Sequence, residues 1–260
     1  MELVLISVLT LLASGLTFVS GFGLGTLLTP MLALIYPLPL AVAAGAFVHF
    51  ANNVFKFFLM ARFANWDVVS RFGVPAAFAS VAGAWVLTTC HDQPAILYYK
   101  FGKQEFSVTT TGLLIGPLIM VFSWLELSKR LERFSIPLRF LPLGGFLSGF
   151  FGGLSGNQGA LRTVFLMKAS LNKEAFIASG VVSAMLVDVV RLLVYEAFLM
   201  PSQPHDAKNI GTAIFVATIS ALAGSALGKH WLPKITVPFF QRMVASFMLI
   251  IGILLTTGVI

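Results

Sequence analysis

The segment Leu147 to Arg162, LSGFFGGLSGNQGALR, interrupts a long apolar stretch with glycines and polar side chains. Its five glycines are Gly149, Gly152, Gly153, Gly156 and Gly159. Glycine weakens a helix interior and lets the backbone pass close to another segment or to a ligand. The segment therefore predicts a helix break. A shorter version, SGFGLGTLLTP, occupies Ser20 to Pro30 in the first half of the chain.

The composition predicts an all-α polytopic membrane protein. Hydrophobic residues make up 58% of the 260 residues, charged residues 10%, and the mean hydropathy is +0.93. A soluble domain needs a more highly charged surface. An uncharged run of roughly 20 residues can cross a bilayer as a helix, and we expect about eight such helices. The uncharged runs lie inside Leu3–Phe55, Phe72–His91, Phe106–Leu125, Phe140–Leu161, Asn209–Gly228 and Met243–Ile260.

The net charge of +7 does not indicate nucleic-acid binding, because the basic residues are scattered in short connections between apolar runs. Such charges are typical of loops that set membrane topology and contact lipid headgroups. The strongest basic cluster, Ser128 to Arg139, predicts a cytoplasmic loop. The single cysteine, Cys90, cannot form an internal disulfide, and no Cys/His cluster has metal-ligand spacing. We therefore expect no metal and no cofactor. Met1-Glu2 lacks the basic start of a signal peptide, so the first apolar run is predicted to stay as a membrane helix.

The first apolar run, Leu3 to Tyr36, is too long for one straight crossing. About 34 residues at 1.5 Å each would extend roughly 51 Å, against a hydrocarbon core near 30 Å. We expect a break at Gly21, Gly23 and Gly25, followed by a short helix. The next predicted helix, Leu40 to Met60, carries polar side chains at spacings near three and four, which places them on one stripe. They are His49, Asn52, Asn53 and Lys56.

The second half of the chain resembles the first. A helix from Leu141 again runs into a glycine-rich break, a short helix follows, and the next helix carries Asp188 and Arg191. A shift of 135 residues places Asn53 on Asp188 and Lys56 on Arg191. We predict two repeats, 1–127 and 140–260, joined by a basic loop at 128–139. Repeats with interrupted helices are typical of secondary transporters with a substrate site at the repeat interface. Whether the repeats are parallel or inverted stays open.

The paired glycine segments resemble those of the TauE/SafE family of sulfite and sulfonate exporters. That family shows twice a pattern close to G-x-x-G-x-G-G-G, then P-x-L. The first copy here, Gly21 to Leu32, keeps the proline, whereas the second, Gly152 to Leu166, has Asn157 and Gln158 in place of glycines and no proline. The resemblance implies a transporter of a small sulfur-containing anion in a bacterial inner membrane, driven by an ion gradient, and no enzymatic activity. A homodimer is an open alternative.

The glycine breaks are suited to bind an oxyanion, because backbone N–H groups at helix starts supply donors and positive potential. Arg162 adds a fork that matches two oxygens of one anion. Tight packing for the glycines, and an interfacial position for Arg162, are the structural alternatives. The predicted substrate-binding residues are Gly23, Gly25, His49, Asn53, Ser155, Gly156, Asn157, Gln158, Gly159 and Arg162.

Asp188 and Arg191 lie three residues apart in an apolar helix, so they share one face and can pair with each other or across the bundle. A structural ion pair is one reading, and a relay in which Asp188 couples transport to protons is the other. Lys56 belongs to the equivalent helix of the first half, where interhelical hydrogen bonding and a position at the membrane interface are the alternatives to a substrate role.

Two other functions compete with a carrier. Gly153-Leu154-Ser155-Gly156 matches the G-x-S-G string around the serine of rhomboid-type intramembrane proteases, which need a histidine base on a neighbouring helix. The downstream histidines, His205 and His230, lie in polar connections, so a catalytic site is not predicted. An anion channel is the second alternative, and repeat symmetry with paired breaks favours a carrier.

Overall fold

The fold was analysed in a computed structural model of the chain. It describes residues 2–20, 24–91, 93–127, 137–167, 169–199, 207–231 and 237–260. Gly23, a predicted site residue, lies outside these residues, as do positions 128–136 of the predicted basic loop.

The first half contains a long helix, a short helix and a second long helix, as predicted. They are α1 (Glu2–Ser20), α2 (Leu24–Ala33) and α3 (Leu38–Met60). Helix α2 is buried along its whole length, and Pro30 lies inside it. Pro37 precedes α3 and Pro39 occupies its first turn, where a missing N–H costs nothing. The predicted break positions Gly21 and Gly23 lie outside the described residues, and Gly25 lies inside α2.

The connection after α3 is largely helical. A 3₁₀ turn (Ala61–Phe63) is followed by α4 (Trp66–Val68), a π-helical turn (Val69–Gly73) and α5 (Val74–His91). The Asn65 side chain caps this start by accepting from the Val68 N–H at 3.1 Å.

A β-hairpin was not predicted. Strand β1 (Leu97–Phe101) pairs antiparallel with β2 (Gln104–Val108), and Gly102 makes the turn with φ of +65°. Residues 97–108 carry four aromatic side chains, Tyr98, Tyr99, Phe101 and Phe106, on the two sides of a Gly-Lys pair. This is a strand signal that a search for membrane helices overlooks. Because β2 ends at Val108, helix α6 (Thr110–Leu127) begins at Thr110 and not at Phe106, the first residue of the uncharged run.

The second half repeats the order of long, short and long helices. It contains α7 (Leu141–Ser155), α8 (Gly159–Leu166), α9 (Lys173–Phe198), α10 (Ala207–Trp231) and α11 (Val237–Thr257). Gly156 ends α7 in the left-handed conformation, with φ of +79°, which a side chain rarely adopts. The predicted break therefore lies at 156–158.

Corresponding helices of the two halves make corresponding contacts. Helix α5 packs on α7 as α10 packs on α1, and α9 packs on α5 as α10 packs on α3. The pairs α3 with α9 and α6 with α11 join corresponding helices. The two halves also share a close backbone contact at a glycine in α5 and in α10. A Cβ at Gly83 would meet the backbone of Phe150 and Leu154, and one at Gly224 would meet that of Leu11 and Gly15.

Four helical segments among the described residues are long and apolar enough to cross a membrane. They are Leu38–Phe63, Trp66–His91, Lys173–Phe198 and Ile210–Leu227. Large apolar side chains such as Phe58, Phe78 and Leu193 are exposed on the outside, whereas four charged side chains are buried between the helices: Lys56, Arg162, Asp188 and Arg191. This is the distribution expected of a multi-pass membrane protein, whose solvent is lipid.

Candidate functional site

The start of helix α2 meets the second helix break inside the protein. A Cβ at Gly25 would lie 3.2 Å from the carbonyl oxygen of Gly156 and 3.4 Å from Cδ2 of His49. Helix α2 begins at Leu24 and α8 at Gly159, so the N-terminal ends of both short helices lie beside this contact. Helix N-termini carry partial positive charge and unpaired N–H groups. The position is therefore suited to an anion.

A cavity of about 30 Å³ lies between these ends. This is room for about one or two water molecules. Helices α2, α3, α8 and α9 and the second break supply its walls. The residues that line it are Leu24, Gly25, Thr26, His49, Asn52, Asn53, Lys56, Gly156, Gln158, Gly159, Arg162, Ile177 and Val181.

Two cationic side chains reach this cavity from different helices. Lys56 in α3 is 5% exposed and Arg162 in α8 is 6% exposed. Both side chains line the cavity. Among the described residues, no aspartate or glutamate lines the cavity. The lining is therefore cationic and rich in hydrogen-bond donors.

Asp188 lies behind the cavity wall and joins the two halves. Its Oδ1 accepts hydrogen bonds from Nε and Nη2 of Arg191 at 3.0 and 2.6 Å and from the Gln158 amide at 3.1 Å. Its Oδ2 lies 2.7 Å from Nδ1 of His49 and accepts from the Asn53 amide at 2.9 Å. Five donor contacts on one fully buried carboxylate fix the orientation of the groups around it.

Arg191 and Tyr195 hold the end of α7. Arg191 Nη1 donates to the Gly152 carbonyl at 2.8 Å, and the Tyr195 hydroxyl donates to the Gly153 carbonyl. Both carbonyls belong to the last turn of α7, where internal donors run out. The Gly152 carbonyl also accepts from the Gly156 N–H at 3.0 Å. The Asp188–Arg191 pair therefore has a structural role: it anchors the second break to α9. Tyr195 was not recognised in the sequence, where a tyrosine in an apolar helix carries no distinguishing signal.

We expect Tyr195→Phe to lower the free energy of unfolding by about 1–3 kcal/mol, because it leaves the buried Gly153 carbonyl without this donor. Thermal unfolding in detergent measures the loss. Tyr98→Phe is the control, since the Tyr98 side chain lies on the exposed hairpin, and it should change stability by less than about 0.5 kcal/mol. Equal effects of the two substitutions would contradict the anchoring role.

Ser155 and Asn157 do not line the cavity, unlike the other predicted residues of the second break. The Ser155 hydroxyl donates to the Phe151 carbonyl at 3.0 Å, and the Asn157 amide lies 3.5 Å from that hydroxyl. Both side chains are fully buried. These contacts give no support to a serine nucleophile at this position, since neither partner is a general base.

Thr26 and Asn52 line the cavity but were not among the predicted site residues. Asn52 belongs to the predicted polar stripe, and its Oδ1 accepts from Ser225 at 2.6 Å and from Ser14 at 3.3 Å. Ser14 also donates to the Ala221 carbonyl at 2.5 Å. Only the fold brings α1, α3 and α10 together here, so the sequence alone gave no sign of this network.

Comparison with known proteins agrees with the architecture. The profile of the family described as sulfite exporter TauE/SafE matches residues 6–255, nearly the whole chain. No curated protein and no solved structure gives a significant match. The match includes both helix breaks and the helices that carry His49 and Asp188. The chain therefore belongs to the sulfite exporter TauE/SafE family of membrane transporters.

Proposed function

We propose that the cavity at the two breaks binds a small sulfur-containing oxyanion, such as sulfite or an organosulfonate, and that the chain exports it across a bacterial inner membrane. The observation that carries this proposal is the cationic lining, in which Arg162 and Lys56 lie beside the N-terminal ends of α2 and α8. A buried anion needs donors that replace its hydration shell. The guanidinium of Arg162 can donate two parallel hydrogen bonds to adjacent oxygens.

The charge of the lining favours sulfite over a zwitterionic sulfonate such as taurine. Two cations and no carboxylate among the described residues line the cavity. A doubly charged oxyanion would balance both cations, whereas the ammonium group of taurine would be placed next to like charge. Sulfite is therefore the first ligand to test.

The small volume of the cavity favours a carrier over a channel. At about 30 Å³ it has no room for a hydrated ion, so the breaks must separate before an anion enters. We propose that two repeats, 1–127 and 140–260, move against each other to open the site alternately. The corresponding helix contacts in the two halves support a two-repeat organisation. The eight proposed membrane-crossing helices are α1, α3, α5, α6, α7, α9, α10 and α11, and α2 and α8 are half-length.

Sulfite binding to Arg162→Ala tests the proposed site. We expect the affinity to fall about 10- to 100-fold, because a charge-assisted hydrogen bond contributes about 1.5–3 kcal/mol. Calorimetry on purified protein, with sulfite, thiosulfate, sulfoacetate and taurine as ligands, measures the loss. Arg62→Ala is the matched control, since Arg62 is exposed at the end of α3, and it should bind as the wild type does.

Unchanged binding of every ligand by Arg162→Ala would place the anion site elsewhere. Flux into proteoliposomes separates the two transport modes, because a carrier saturates with substrate and a channel conducts in proportion to the gradient. A non-saturating flux that persists in Arg162→Ala would contradict both the site and the carrier mechanism.

A further inference from the structure

We infer that His49 is the proton-binding group of this site and takes up a proton together with the anion. The inference rests on the proposed anion-binding function and identifies the residue that would couple it to protons. It replaces Asp188, the candidate from the sequence, as the group that changes protonation.

Asp188 is held as an ionised carboxylate by its surroundings. Arg191, Gln158 and Asn53 all present N–H groups to it, and N–H groups only donate. A proton on either oxygen would replace one of these hydrogen bonds with a contact between two donors. Asp188 is also fully buried and does not line the cavity. It is therefore a positioning residue.

His49, unlike Asp188, lines the cavity and has a ring nitrogen that can gain a proton. Its Nδ1 lies 2.7 Å from Oδ2 of Asp188 and 3.0 Å from the Asn53 amide nitrogen. The carboxylate can only accept, so the shorter contact assigns the hydrogen to Nδ1, and the Asn53 amide donates to Oδ2 instead. The other ring nitrogen, Nε2, is then the atom that gains or loses a proton. His49 lines the cavity, and Nε2 and Cδ2 form the ring edge next to Gly25 at the start of α2. Asp188 thus fixes the tautomer and orients Nε2 toward the start of α2.

The charged groups around His49 link its proton to the anion. Arg162 approaches from α8, Asp188 and Arg191 from α9, and Lys56 lies two turns along α3 itself. Asp188 attracts a positive charge on His49, whereas burial and the three cations oppose it while the cavity is empty. An anion in the cavity attracts that charge and also accepts a hydrogen bond from a protonated Nε2. Proton and anion therefore bind together.

The proton number of sulfite binding tests this inference. Calorimetry of the full chain in buffers of different ionisation enthalpy gives the protons taken up per sulfite bound. His49→Asn keeps an N–H donor near Nδ1 for Asp188 and removes the titrating nitrogen. At a pH where His49 is neutral in the empty site, we expect wild type to take up about one proton more than His49→Asn. The ionisation of sulfite itself is the same for both proteins and cancels.

His91→Asn is the matched control, because His91 ends α5 and does not line the cavity; it should give the wild-type proton number. Equal proton numbers for wild type and His49→Asn would overturn the inference while leaving the anion site intact. Absence of sulfite binding by wild type would instead contradict the proposed function, and the inference with it.

A second measurement covers the case in which His49→Asn fails to fold or to bind. The chain has four histidines, and nitrogen NMR of histidine-labelled wild type reports the protonation of each ring. We expect sulfite to shift one ring from the neutral to the protonated form, and that signal to be present in His91→Asn. Four unchanged rings in the presence of bound sulfite would overturn the inference.

Discussion

Replacing Asp188 with alanine is expected to lower the free energy of unfolding by about 3–5 kcal/mol. The substitution leaves the Arg191 guanidinium, which is 1% exposed, without its carboxylate, and removes the acceptor of His49, Asn53 and Gln158. A buried charge whose partner is removed costs far more than the pair contributed. Thermal or denaturant unfolding in detergent measures the loss.

Asp67→Ala is the control for this prediction. Asp67 pairs with Arg71 at 3.0 Å, but their side chains are 64% and 57% exposed. Exposed pairs contribute at most about 1 kcal/mol, so this variant should unfold close to the wild type. A loss for Asp188→Ala no larger than that for Asp67→Ala would show that Asp188 does not hold the two halves together.

Gly149→Ala is expected to lower the free energy of unfolding by about 3 kcal/mol or more. A Cβ at this position would overlap the backbone of Ala76 in α5. Gly145 and Gly153, one turn before and after, meet the backbone of Phe72 and Ser80 in the same way. Backbone atoms cannot move aside as a flexible side chain can, so the two helices must separate.

Gly211→Ala is expected to raise the free energy of unfolding, because a Cβ at Gly211 in α10 would meet no atom within 4 Å. Alanine is favoured over glycine in an open helix position by about 0.5–1 kcal/mol. The comparison uses the same chemical change at two helical glycines, and thermal unfolding of both variants measures it. Equal destabilisation at both positions would contradict close packing of α5 on α7.

The glycines of the second break have two separate roles, which the sequence left as alternatives. Gly149 and Gly153 face α5 and allow tight helix packing. Gly156 and Gly159 line the cavity, where Gly156 also needs a positive φ. The first pair faces α5 and the second pair faces the cavity. A glycine motif in the sequence does not indicate which neighbour each glycine faces.

The polar stripe of α3 and the Asp188–Arg191 pair were predicted from spacing, since residues three and four apart share a helix face. Spacing did not reveal that Asp188 also accepts from α3 and from the second break, or that Arg191 and Tyr195 hold the end of α7. Those partners are far apart in sequence and meet only after the halves have packed.

A membrane protein with two matched glycine-rich segments is predictable from the amino-acid sequence, because apolar run length and glycine content act locally along the chain. Helix packing brings Gly25 close to Gly156, makes Lys56 and Arg162 line one cavity, and places His49 toward that cavity with Asp188 behind it. A buried charge is stable only beside partners from other helices, and the packing of those helices places the partners there.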